Sequence, residues 1–131
     1  MEVRILLDTN RLTDALRQEM SVSDIVERAV EVWIAFVTLA EIKAGFLGGH
    51  PRRRANNEAL LLGFLRLPAV GIVYADRETT DVYARLFDQL RQAGTPIPTN
   101  DLWIASLAIQ HQLALVTRDT HFSKIPQVSL V

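Results

Sequence analysis

The chain contains no cysteine. That excludes a disulfide scaffold and any thiolate zinc site, and it fits a reducing compartment. No apolar run reaches the ~18 residues of a membrane span. The opening Met-Glu-Val-Arg leads into only a short apolar run, Ile5 to Leu7, without the basic start and longer stretch of a signal peptide. The expectation is a cytoplasmic protein with no membrane segment. Net charge is also nearly absent, at −1, so the chain as a whole has no basic field to attract nucleic acid. Any such contact must come from local patches, or from metal ions set against local acid. What is present is a globular balance, 49% apolar and 22% charged over 131 residues, which suggests one domain spanning 1–131.

Along the chain, runs of strand type alternate with helical ones. Val3 to Leu7, Val32 to Val37, Val70 to Tyr74, Leu113 to Thr117 and Val128 to Val131 read as strands. Helices are expected over Arg11 to Glu19, from Ser21-Val22-Ser23-Asp24 to about Ala29, and from Thr38 to about Gly45. Others are expected over Arg52 to Leu67, Asp76 to Ala93 and Thr99 to His111. Gly48-Gly49-His50-Pro51, Pro68 and Gly94 punctuate them, and Asp119 to Ser123 reads as a turn. The alternation predicts an α/β fold with a mainly parallel sheet covered on both faces.

The acids then fall in an informative pattern. Asp8 directly follows the first strand, Glu41 lies in the first turn of the helix after the second, and Asp119 lies two residues past Thr117. In an open parallel sheet those points share the edge where strands end and ligands bind. Asp101 opens the helix before the fourth strand and is brought to the same edge. Converging carboxylates repel and some would take up protons. A divalent cation with a preference for hard oxygen ligands, Mg²⁺ or Mn²⁺, removes that problem and supplies the chemistry of phosphodiester cleavage.

Each acid also has a plainer reading. Asp8 fits an N-cap, and Thr38-x-x-Glu41 matches a capping box. Asp101 gains from a helix dipole, and Asp119 fits turn chemistry. The functional reading rests on all four reaching one sheet edge.

Leu6-Leu7-Asp8-Thr9-Asn10, Ala40-Glu41-Ile42, Asn100-Asp101-Leu102-Trp103-Ile104-Ala105 and Val116-Thr117-Arg118-Asp119-Thr120-His121-Phe122 together resemble the successive motifs of PIN-domain nucleases, of the VapC toxin type. The resemblance runs from residue 3 to the C-terminus and is weakest over Arg11 to Val30. It implies a three-layer α/β/α domain with a five-stranded parallel sheet. It implies an RNA substrate, a requirement for Mg²⁺ or Mn²⁺, a homodimer, and inhibition by a VapB-like antitoxin. Asp8, Glu41, Asp101 and Asp119 would be the catalytic, metal-binding acids. Thr9 and Asn10 would support the first acid, and the Thr117 hydroxyl would orient a carboxylate or a metal-bound water.

Other residues carry two readings each. Arg52-Arg53-Arg54, with Lys43 and His50 nearby, is read first as a solvated helix start, and alternatively as a contact for RNA phosphates or a partner. Arg118 fits phosphate neutralisation, pairing with a site carboxylate, or an exposed loop charge. His121 is tempting as a general acid, but His111 and His121 flank apolar residues and are read as structural. Trp33, Phe36 and Trp103 are read as core rather than base-stacking platforms. The apolar face of the helix from Asp76 suits either a dimer seam or burial against the sheet.

Two other functions remain open from the residues. One is a catalytically silent module that holds a basic peptide in the acidic crevice. The other is a phosphoryl-transfer or receiver-like domain using Asp8, a chemistry that wants a nearby lysine. Only Lys43 and Lys124 exist, and neither ends a strand.

Overall fold

The computed structural model describes residues 2–131. Its strands are β1 (Arg4–Leu7), β2 (Glu31–Ala35), β3 (Val70–Val73) and β4 (Ala114–Val116). Its helices are α1 (Thr9–Leu16), α2 (Met20–Arg28), α3 (Phe36–Leu47), α4 (Pro51–Leu65), α5 (Arg77–Ala93) and α6 (Thr99–Gln110), with a short 3-10 turn at Thr120–Lys124. The strands form one sheet in the order β3-β2-β1-β4, every neighbouring pair parallel.

Alternation along β1 decides the layers. Successive side chains of a strand point to opposite faces. Leu6 packs in a core cluster with Leu86 and Leu90 of α5 and Ile104 and Leu107 of α6. Its neighbours Ile5 and Leu7 pack in a second cluster with Leu12 of α1, Val22 of α2, Ile42 of α3 and Leu61 of α4. The sheet is thus covered on both faces, which is why its strands read as near-continuous apolar runs. No helix among the described residues is long and apolar enough to cross a membrane. The apolar face of α5 is used for burial, through Leu86 and Leu90.

Two expectations are corrected. The sheet has four strands, not five. Of the segment Val128–Val131, only Leu130 pairs, in a single parallel bridge to Leu115. Leu115 donates to the Ser129 carbonyl at 2.7 Å and accepts from the Val131 amide at 2.9 Å. β4 has only three residues, so its outer edge offers little more than that one pairing position.

The second strand also ends early, at Ala35, and Phe36 and Val37 open α3. Their strand propensity yields to tertiary packing. Thr38 is therefore inside the helix, fully buried, and the Thr38/Glu41 capping box does not form, because Ala35 is the N-cap. Helix ends elsewhere follow the local chemistry. Asp76 and Thr79 form a reciprocal capping box at the start of α5, and Gly94 ends it with φ 70°.

Gly71 of β3 sits opposite Trp33 of β2. A Cβ there would come within 2.7 Å of Trp33 Cζ3. The indole has little freedom to yield, since its Nε1 donates to Glu31 Oε1 at 2.8 Å. Gly71→Ala is therefore expected to destabilise the protein by about 1–3 kcal/mol, the usual range for overpacking, as read from urea unfolding. An unchanged midpoint would show that Trp33 moves aside freely.

Candidate active site

The four acids line one crevice of about 490 Å³ at the C-terminal edge of the sheet, together with Thr9, Asn10 and His121. Pro98, Thr99 and Asn100 complete its wall. Asp8 is the first residue after β1 and is 4% exposed. Its Oδ1 accepts from the Arg11 amide at 2.9 Å, so it does N-cap α1. Its Oδ2 accepts from the Thr117 hydroxyl at the end of β4. That hydroxyl in turn accepts from the Asp119 amide at 2.9 Å.

Asp119 caps the 3-10 turn by accepting from the His121 amide at 2.9 Å. Asp101 lies in the first turn of α6, at the positive end of the helix dipole. Glu41 stands on α3, in the second turn rather than the first because the helix starts at Phe36. Its Oε1 accepts from the Thr9 hydroxyl at 3.1 Å. Thr9 and Thr117 thus each hold one carboxylate.

Burial is the main cause that pushes the Asp8 carboxyl above the usual carboxylate range. The hydrogen bonds from Thr117 and Arg11 work the other way, and the like charges of Asp101 and Asp119 add to the rise. Among the described residues, no lysine or arginine lines the crevice.

The expected basic residues lie outside the crevice. Arg118 pairs with Asp14 of α1 at 3.0 Å rather than with a crevice carboxylate, and its side chain is 59% exposed. Asp14 also pairs with the buried Arg11 at 3.1 Å. Arg54 donates to the Leu47 carbonyl at 3.0 Å and so ties down the C-terminus of α3. Arg52 and Arg53 are exposed in the first turn of α4, whose N-cap is His50. Trp33, Phe36 and Trp103 are half-buried and packed on the core, as read from the sequence.

His121 corrects the sequence reading. Its Nδ1 lies 3.0 Å from Asp101 Oδ2 and 3.1 Å from Asp119 Oδ1, inside the crevice. The spacing Asp119-Thr120-His121 was a weak signal. It gains meaning only once the turn folds the ring back over its own cap and α6 brings Asp101 alongside. A second crevice, of about 380 Å³ between α3 and α4, is lined mainly by Phe46, Leu47, Leu61, Leu62 and Leu65 and holds no acidic cluster.

The comparisons with known proteins agree with this architecture. The PIN-domain profile matches residues 5–128. Ribonuclease VapC4 of Mycobacterium tuberculosis is 30% identical over 99 residues, covering 75% of this chain and 74% of that protein. Toxin FitB of Neisseria gonorrhoeae is 31% identical over 127 residues, covering 88% of each. Among solved structures, a chain of VapBC2 from Rickettsia felis bound to promoter DNA superposes with a TM-score of 0.87 at 29% identity. It covers 97% of this chain and 96% of that one. With its sheet, its crevice of acids and these relatives, the chain belongs to the PIN-domain family.

Proposed function

We propose that the protein is an endoribonuclease that depends on Mg²⁺ or Mn²⁺ held by Asp8, Glu41, Asp101 and Asp119. In this reading it is the toxin of a toxin–antitoxin pair, a homodimer acting in the cytoplasm and restrained by a VapB-like antitoxin. The family and the relatives named as VapC ribonucleases support the activity. The observation that carries the metal dependence is the convergence of four carboxylates, one of them buried, in a crevice without a lysine or arginine.

The donor set fits the ion. Carboxylate oxygens are the ligands Mg²⁺ and Mn²⁺ prefer, and a buried Asp8 flanked by like charges needs a cation nearby. When bound, such an ion supplies a Lewis acid that makes a water acidic and offsets charge building on a phosphate. The chain's own residues do the positioning. Thr117 and the Arg11 amide fix both oxygens of Asp8, Thr9 fixes Glu41, and the Thr117 hydroxyl fixes the Asp119 backbone. A receiver-like reading fares worse, because no lysine lines the crevice beside Asp8 and Lys43 borders the apolar groove instead.

Purified protein with Mg²⁺ or Mn²⁺ is expected to cut RNA. Asp8→Asn and Asp101→Asn should each reduce cleavage by about a hundredfold or more, the upper end of what disturbing a metal's ligand shell costs. Cleavage that persists in excess chelator, or at full rate in both variants, overturns the proposal.

Asp8 also sets a pH dependence. A carboxyl whose folded-state pKa is raised contributes stability that is fully present below its unfolded pKa and is lost as pH rises through its folded pKa. Metal-free wild type should therefore lose stability relative to Asp8→Asn across that window. Adding Mg²⁺ or Mn²⁺ should raise the Tm of wild type and leave that of Asp8→Asn nearly unmoved. Scanning calorimetry of both proteins over pH, with and without metal, reads both effects. Parallel pH curves would show that burial of Asp8 carries no cost.

A further inference from the structure

We propose that His121 is a nitrogen ligand of the crevice cation, and that it tilts the site toward first-row transition ions, Mn²⁺ among them, over Mg²⁺. The inference rests on the metal-dependent reading above and adds a ligand of a different chemical class to it.

The spacing is the first argument. In an octahedral shell with bonds of about 2.1 Å, neighbouring donors lie about 3.0 Å apart. His121 Nδ1 is 3.0 Å from Asp101 Oδ2 and 3.1 Å from Asp119 Oδ1. Single donor atoms of the three residues all lie within 4.8 Å of one another. The nitrogen is thus spaced from each of the two oxygens as donors on adjoining corners of one shell would be.

The hydrogen-bond count is the second. Nδ1 carries at most one proton, so it can satisfy only one of two carboxylate oxygens with a well-directed bond. A cation shared by all three groups satisfies them together, with the imidazole proton on Nε2 and the Nδ1 lone pair turned to the ion.

The third argument is placement. The ring is held by its own backbone, since the His121 amide donates to the same Asp119 oxygen that Nδ1 approaches. The side chain stays 39% exposed at the crevice, so nothing covers it. Of the side chains lining the crevice, only this one carries an imidazole nitrogen.

Chemistry then sets the preference. Mg²⁺ keeps to oxygen donors and gives up its waters reluctantly, whereas imidazole suits Fe, Ni, Cu and Zn; Mn²⁺ shares the carboxylate preference of Mg²⁺ but stands, at its weak end, in the same transition-ion series. Losing His121 should therefore weaken transition-ion binding more than Mg²⁺ binding.

Pulsed electron paramagnetic resonance of Mn²⁺ bound to the full chain tests this directly. Wild type should show coupling to a histidine ¹⁴N, and His121→Ala and His121→Gln should lack it. By calorimetric titration, both variants should bind Mn²⁺ ~10-fold or more weakly, the scale set by groups around a metal, while Mg²⁺ affinity changes much less. Mn²⁺ binding without ¹⁴N coupling, or an equal loss for both ions, overturns the role of His121 and leaves the carboxylate site standing. Failure of wild type to bind Mn²⁺ at all overturns both.

Discussion

The site turns on one carboxylate that the fold buries at the end of β1. Nearly every polar atom of Asp8 is committed. Its amide donates to the Val116 carbonyl at 3.2 Å, its carbonyl accepts from Leu12, and its two carboxyl oxygens accept from Arg11 and Thr117. One residue therefore joins the end of β1, the start of α1 and the end of β4. What it lacks is an opposite charge. Burial of a carboxylate without one is costly, and here two further acids press on the same space. Local rules of stability are broken at this point, as is common where a site must do chemistry.

The arginines sharpen that contrast. The chain has enough of them to neutralise the crevice, yet among the described residues none lines it, and several are paired elsewhere. Arg4 pairs with Glu31, Arg11 and Arg118 share Asp14, and Arg91 pairs with Asp88. Arg54 holds a helix terminus through a backbone carbonyl. A phosphodiester approaching four carboxylates would be repelled. In the proposed reading a cation bound first would turn the crevice into a place where a phosphate is attracted, so the charge distribution favours a metal over direct recognition by side chains.

Much of this was legible in the sequence, for a physical reason. In a parallel sheet every strand ends at the same edge, so an acid just after a strand declares its position without coordinates. Asp8 and Asp119 are of that kind, and Asp101 follows from its place at the start of the helix that leads into the fourth strand. Glu41 was placed at the right edge but one turn early, because Phe36 and Val37 look like strand and fold as helix. The fifth strand looked as good as the others by composition, and only the short edge of β4 limits it to one bridge. Arg118 was ambiguous because its partner, Asp14, lies 104 positions away. His121 was set aside because its place in the crevice depends on a meeting between α6 and a tight turn, which no local pattern reports.

Capping and metal binding, which compete as readings of a lone aspartate, are compatible in this geometry. A carboxylate oxygen has two lone pairs. In Asp8 and Asp119 a backbone amide takes one of them and thereby fixes the side-chain rotamer. The remaining lone pairs then point in directions set by the fold rather than by free rotation. A cation meeting such groups loses less free energy to ordering its ligands, the advantage of a ligand shell held in place by a second set of hydrogen bonds. The N-cap role of Asp8 therefore helps to fix the direction of its carboxylate. A helix start and a turn start, placed at the edge of a parallel sheet, are the local structures that hold two acids still while leaving them open to an ion.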